Sequence, residues 1–110
     1  MWLLLLLFAV DANRCDTAIA ELRMTRARRD GDAEIWVSAA ASKPWHVLAV
    51  NRGGKIISAN IVWKETGLPI RRGSSPRVLD EWGQEDRGKV HGGFAQKLEP
   101  GGCALFRVEP

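Results

Sequence analysis

Residues suited to metal and redox chemistry are scarce in this sequence. Its 110 residues include two cysteines, Cys15 and Cys103, and two histidines, His46 and His91. Two cysteines so far apart cannot by themselves form a zinc site, and no His-x-x-x-His, Cys-x-x-Cys or carboxylate triplet surrounds either histidine. The sequence therefore specifies no metal ligands and calls for no cofactor. Two small buried thiols are the preferred reading, because Cys103 lies in an apolar run. One disulfide is the alternative, should the chain be secreted. Long hydrophobic runs are also missing. The longest, Trp2 to Val10, has nine residues, far below the ~20 needed to span a bilayer. Gly53-Gly54 and Gly101-Gly102 lack the spacing of a phosphate-binding loop, no serine sits in a nucleophile elbow, and no repeat appears at a period of about 20–50 residues.

What is present describes one small domain. Hydrophobic residues make up 45% and charged residues 26%, the balance of an ordinary globular chain rather than a disordered one. The net charge of +3 is a mild basic bias. Arg23, Arg26, Arg28 and Arg29, with Arg71 and Arg72, lack the interleaved aromatics of an RNA-binding surface, and Asp30, Asp32 and Glu34 adjoin the first cluster. They read as a charged hairpin surface guarding an edge strand, not as a nucleic-acid site.

Taken in order, residues 1–12 form an apolar leader. A signal-peptide core, with Val10-Asp11-Ala12 resembling a cleavage site, would make the chain secreted; a buried strand or the truncated edge of a larger fold is the alternative, since no basic residue precedes the run. Residues 13–21 read as a linker or short helical turn, and 22–110 as one β domain. Leu22–Arg29 and Glu34–Ala40 make a hairpin through Asp30-Gly31, with Ile35 and Val37 on one face and Trp36 on the other. Ser42-Lys43-Pro44 breaks the chain before a strand from Trp45 to Asn51. Lys55–Trp63 is the clearest strand: Ile57, Ala59, Ile61 and Trp63 share an apolar face, and Ile56, Ser58, Asn60 and Val62 a mixed one. Arg77–Trp82, Phe94–Leu98 and Cys103–Val108 follow, with Gly83–Gly93 as a charged loop. Apolar runs every 8–12 residues, parted by Gly, Pro and acidic clusters, predict an all-β, antiparallel β-sandwich of about seven to eight strands, Greek-key in type.

The second half carries a more particular likeness. It reads Trp63-Lys-Glu-Thr-Gly67-Leu68-Pro69, Val78-Leu-Asp80-Glu-Trp82, Gly88, Phe94-Ala-Gln-Lys-Leu98 and Pro100-Gly-Gly-Cys-Ala-Leu105-Phe-Arg-Val108. This order resembles the C-terminal β-sandwich domain of the family 27 glycoside hydrolases, the α-galactosidase or melibiase group. Val78, Asp80 and Trp82 fit its pattern, while Leu79 and Glu81 stand where Arg and Leu are usual. The resemblance implies a role in carbohydrate metabolism beside a (β/α)8 barrel that carries two catalytic aspartates. A barrel takes ~250 residues, and some 60 precede Trp63, so the expectation is a sandwich with no catalytic residues of its own. A retaining glycosidase needs two carboxylates about 5–5.5 Å apart. Asp80 and Glu81, adjacent on a strand, point to opposite faces, and Glu85-Asp86 sits among Arg87 and Lys89.

The tryptophans leave a second reading open. Indole rings pack well on sugar faces, so exposed Trp36 and Trp45 would make a free-standing carbohydrate-binding module. Trp63, Leu68, Trp82, Phe94, Leu98 and Leu105 are assigned to the core. A third reading, a protein–protein module, follows if the face meant for the barrel stays exposed.

Overall fold

The computed structural model describes residues 14–38 and 44–110. The leader, the end of the expected return strand at Ala40 and the break at Ser42-Lys43 lie outside the described residues. The elements in chain order are α1 (14–21), β1 (Met24–Asp30), β2 (Ala33–Ser38), β3 (Trp45–Asn51), β4 (Ile57–Val62), α2 (Trp63–Thr66), β5 (Arg77–Asp80), β6 (Glu85–Lys89), β7 (Gly93–Leu98) and β8 (Cys103–Glu109). One six-stranded sheet runs β1-β2-β3-β8-β5-β6, a two-stranded sheet pairs β4 with β7, and the pairing is antiparallel throughout. Strands distant in sequence lie side by side in the larger sheet, β3 against β8 and β8 against β5. The architecture is the expected sandwich, with eight strands.

The core has two halves because the large sheet is covered on both faces. Inside, Val37, Trp45, Val47, Val78, Phe106 and Val108 meet Ala59, Ile61, Trp63 and Leu98 from the smaller sheet and its continuation. Phe94 fills the middle, its ring centroid 5.6 Å from Trp63 and 4.9 Å from Phe106. Outside, Met24, Leu48, Val50 and Leu105 are covered by Ala18 of α1, with Ile19, Leu22, Trp36 and Trp82 around them. Val47 to Val50 are therefore buried on both parities, as happens to a strand covered on both faces.

One open reading closes and four local expectations change. Of a linker or a short helical turn, residues 14–21 form the helix α1, whose apolar side closes the outer face. A helix so short is marginal alone, and Cys15 ties it to the start of β8 through a disulfide with Cys103. The two thiols are thus paired, because α1 crosses directly over β8. Gly83–Gly93 is not all loop, since Glu85–Lys89 pairs with β5 as an edge strand. The β1–β2 turn falls one residue later than expected. Asp30 pairs with Ala33, leaving Gly31 and Asp32 as the central residues, with Gly31 at φ 59°, the geometry of a turn with glycine first. Lastly, β4 ends at Val62 and Trp63 opens α2. Gly67, at φ 76°, terminates that helix, and Thr66 Oγ1 donates to Trp63 O at 2.7 Å. Trp63 stays buried because its indole N–H donates to Val90 O at 3.0 Å.

Asn51, fully buried at the end of β3, joins the two sheets. Its Nδ2 donates to Lys55 O at 2.6 Å and to Glu99 O at 3.1 Å, and its Oδ1 accepts from Gly53 N at 2.9 Å. These bonds satisfy backbone groups that a sandwich corner would otherwise bury unpaired.

Candidate functional site

The acidic groups are engaged one by one rather than in pairs. Asp80 lies on the inner side of β5, opposite Phe106 in the ladder. Its Oδ1 accepts from Gly83 N at 2.9 Å and its Oδ2 stands 4.0 Å from Arg87 Nη2. Glu81 turns outward, with Oε1 3.8 Å from His46 Nε2 and 3.7 Å from Arg107 Nε. The neighbouring carboxylates thus serve opposite faces. Asp86 is exposed and paired with Arg77; hydrogen bonds from that guanidinium and from Gly88 N–H hold its carboxyl below the usual carboxylate range. A group held ionised in this way is a poor general acid. His46, half-buried beside α1, is pushed below its ordinary value by burial and by Arg107, against the pull of Glu81. Among the described residues, no three metal-ligating side chains gather, and no helix is long and apolar enough to cross a membrane.

Trp36 and Trp45 do not form a joint platform. Trp45 is 3% exposed and belongs to the inner core. Trp36 lies on the outer face against the α1 cluster, half-buried, with its indole N–H donating to Glu34 Oε1 at 2.9 Å. They sit on opposite sides of one sheet. The isolated pattern could not reveal this, because both faces of β3 are covered and position along the strand no longer signals exposure. Of the other assigned residues, Trp63 and Leu98 are buried in the inner core, and Leu68 and Phe94 pack half-buried against it. Leu105 is buried in the outer cluster. Trp82 lies beyond the end of β5, half-buried in that same outer cluster, with the Arg14 guanidinium 4.1 Å above its ring.

The structure adds a feature that no motif announced. A groove of about 700 Å³ opens between β4 and the β1–β2 hairpin. Ala33 and Ile35 contribute apolar lining, Asp30 and Asp32 stand at the hairpin turn, and Asn60 and Ser58 line it from β4. Arg28 of β1 forms an ion pair with Glu65 of α2 beside it. These residues come from four separate elements, so only the packing of the two sheets brings them together. The polar alternation of Ser58 and Asn60 was the one sequence signal pointing there.

The profile of the α-galactosidase C-terminal β-sandwich domain matches residues 30–108. No curated protein sequence matches the chain. Among solved structures, α-galactosidase I from Mortierella vinacea is similar with a TM-score of 0.69 and 20% identity, over 77% of this chain and 22% of that enzyme. A family 27 β-L-arabinopyranosidase from Geobacillus stearothermophilus gives 0.69 and 24% identity, over 79% of this chain and 19% of the enzyme. Likeness at such identity speaks for the fold. The chain spans about a fifth of the length of these solved enzymes. With the match running from the β1–β2 turn to the last core residue of β8, the chain belongs to the α-galactosidase C-terminal β-sandwich domain family.

Proposed function

We propose that this sandwich is the non-catalytic accessory domain of an α-galactosidase-like glycoside hydrolase, acting beside a (β/α)8 barrel that carries the chemistry. The observation that supports this most is the family match over residues 30–108, in a chain about a fifth as long as its solved relatives. The carboxylate geometry is in keeping with it. Hydrolysis with retention requires a nucleophile and an acid/base on one bond, and here Asp80 and Glu81 face apart while Asp86 is taken by Arg77. The Cys15–Cys103 bridge supports an oxidising compartment as the setting. A free-standing carbohydrate-binding role would have to rest on Trp36 without Trp45.

Assay of the purified chain with a chromogenic α-galactoside tests the reading. The expected result is no turnover above buffer, even at high protein concentration. Turnover that co-purifies with the chain and disappears in Asp80→Asn or Asp86→Asn would overturn it.

A further inference from the structure

Sheet edges invite pairing with other chains, and proteins blunt them with charge, bulges and shortness. Three of the four edges here are blunted. β1 carries Arg26, Arg28 and Arg29 and a register break between Arg26 and Arg28. β6 is five residues long, reads Glu85-Asp-Arg-Gly-Lys89, and meets β5 across another register break. β7 carries Lys97, and its Gln96 Oε1 accepts from Arg87 Nη2 at 2.6 Å, which draws β6 across that edge. β4 has none of these devices. Residues 56–63, Ile-Ile-Ser-Ala-Asn-Ile-Val-Trp, contain no charge, proline or glycine, and β4 pairs with β7 without a register break. Ile56, next to the strand, is 53% exposed. Among the described residues, no strand pairs with the second edge of β4.

The backbone groups on that edge can be assigned. Trp63 N–H donates to Gly92 O, on the β7 side. In an antiparallel ladder the N–H and C=O of one residue point the same way, and successive residues alternate. Odd-numbered residues of β4 therefore bond to β7, and Ser58, Asn60 and Val62 aim their backbone groups outward, into the groove. Of the charged side chains that line the groove, Arg28 is matched by Glu65, whereas Asp30 and Asp32 have no ion-pair partner among the described residues; Arg29 Nε donates to Gly31 O at their turn. Their turn lies at the Ile57 end, because Asn51 faces Ala33 across the ladder and donates to Lys55 O.

We propose that β4 is a strand-addition site for an extended segment of a partner protein, uncharged where it pairs with Ser58–Val62 and basic where it passes Asp30 and Asp32. A second copy of the chain does not fit. β4 packs on β2 and β3, so β1 juts out past it. A lone strand about 4.8 Å from β4 occupies the space over β1. A second β4 would bring its own β2 and β3 into the layer that β1 already fills.

The probe is an acetylated peptide of alternating valine and threonine ending in two lysines; antiparallel pairing sets those lysines over the Asp30–Asp32 turn. At saturating peptide, amide exchange at Ser58, Asn60 and Val62 should slow about tenfold or more, as for newly bonded backbone groups. The same peptide ending in two glutamates should bind about threefold or more weakly at low salt. Asn60→Pro, which removes an outward N–H and no β7 bond, should abolish binding. A peptide N-methylated on its β4-facing residues should not bind, a control that does not depend on folding of any variant. Four results would overturn the proposal: no slowing at these amides with millimolar peptide; equal binding of both peptides; protection already present without peptide and lost when residues 2–10 are deleted, which makes the chain's own segment the occupant; or protection that rises with protein concentration, which makes it a second copy.

Discussion

Replacing both Cys15 and Cys103 with alanine tests how the domain is held together. The bridge closes a loop over a sequence separation of 88 residues, nearly the whole domain. In the loop-entropy description, a cross-link of that span destabilises the unfolded chain by about 4.6 kcal/mol at 25 °C. Measured effects fall short of that figure when the unfolded chain retains structure, so a loss of about 3–4.5 kcal/mol is expected. For 110 residues, with an unfolding entropy near 2.1 cal/mol/K per residue, each kcal/mol lowers Tm by roughly 4 °C. The double variant should therefore melt some 12–20 °C below the parent. Guanidinium unfolding followed by tryptophan fluorescence gives the free energy, and thermal circular dichroism gives Tm. α1 should also lose exchange protection before the strands do, because an eight-residue helix is marginal without its tether. A variant within about 0.5 kcal/mol of the parent would refute the reasoning, a difference of that size being typical of a neutral surface change. Two titratable thiols in the unreduced, denatured parent would refute it as well.

Two further outcomes are expected. Trp63→Ala should cost about 3–5 kcal/mol, since it empties a core position and leaves Val90 O without its donor; Trp63→Phe should cost less, by keeping contact with Phe94, and equal denaturation midpoints for parent and both variants would contradict the core assignment. Stability should also fall in two acid steps. Burial depresses His46 below its ordinary value of 6.5, so the neutral form favours the fold; its contribution is complete above that pH and lost as pH falls through the folded value. Burial alone would raise Glu34, but hydrogen bonds from Trp36 and Arg52 and the charges of Arg52 and Arg26 outweigh it, so its contribution is lost as pH drops below the ordinary 4.5. His46→Gln should flatten the first step in a pH series of melts, and a first step unchanged in that variant would assign it elsewhere.

Where local pattern governs, the chain could be read directly. The alternation of Ile57, Ala59 and Ile61 names the inner face of β4 because one side meets the core and the other meets solvent. The Asp30-Gly31 pair marked the first hairpin to within one residue, since a tight turn needs a residue that accepts positive φ. The residues from Trp63 to Val108 carried the resemblance to the domain family, whose profile matches residues 30–108. Tertiary structure decided the rest. α1 forms because the outer faces of β3 and β8, with Leu48, Val50 and Leu105, need cover that no short window displays. The same helix brings Cys15 over Cys103, while Trp45 is hidden on the inner face, where the smaller sheet packs. Glu85–Lys89 becomes a strand only because β5 offers it an edge, and its own charged sequence gives no apolar period to detect. The groove beside β4 exists because a six-stranded sheet lies against a two-stranded one, and that mismatch of widths is set by the packing of elements far apart in the chain.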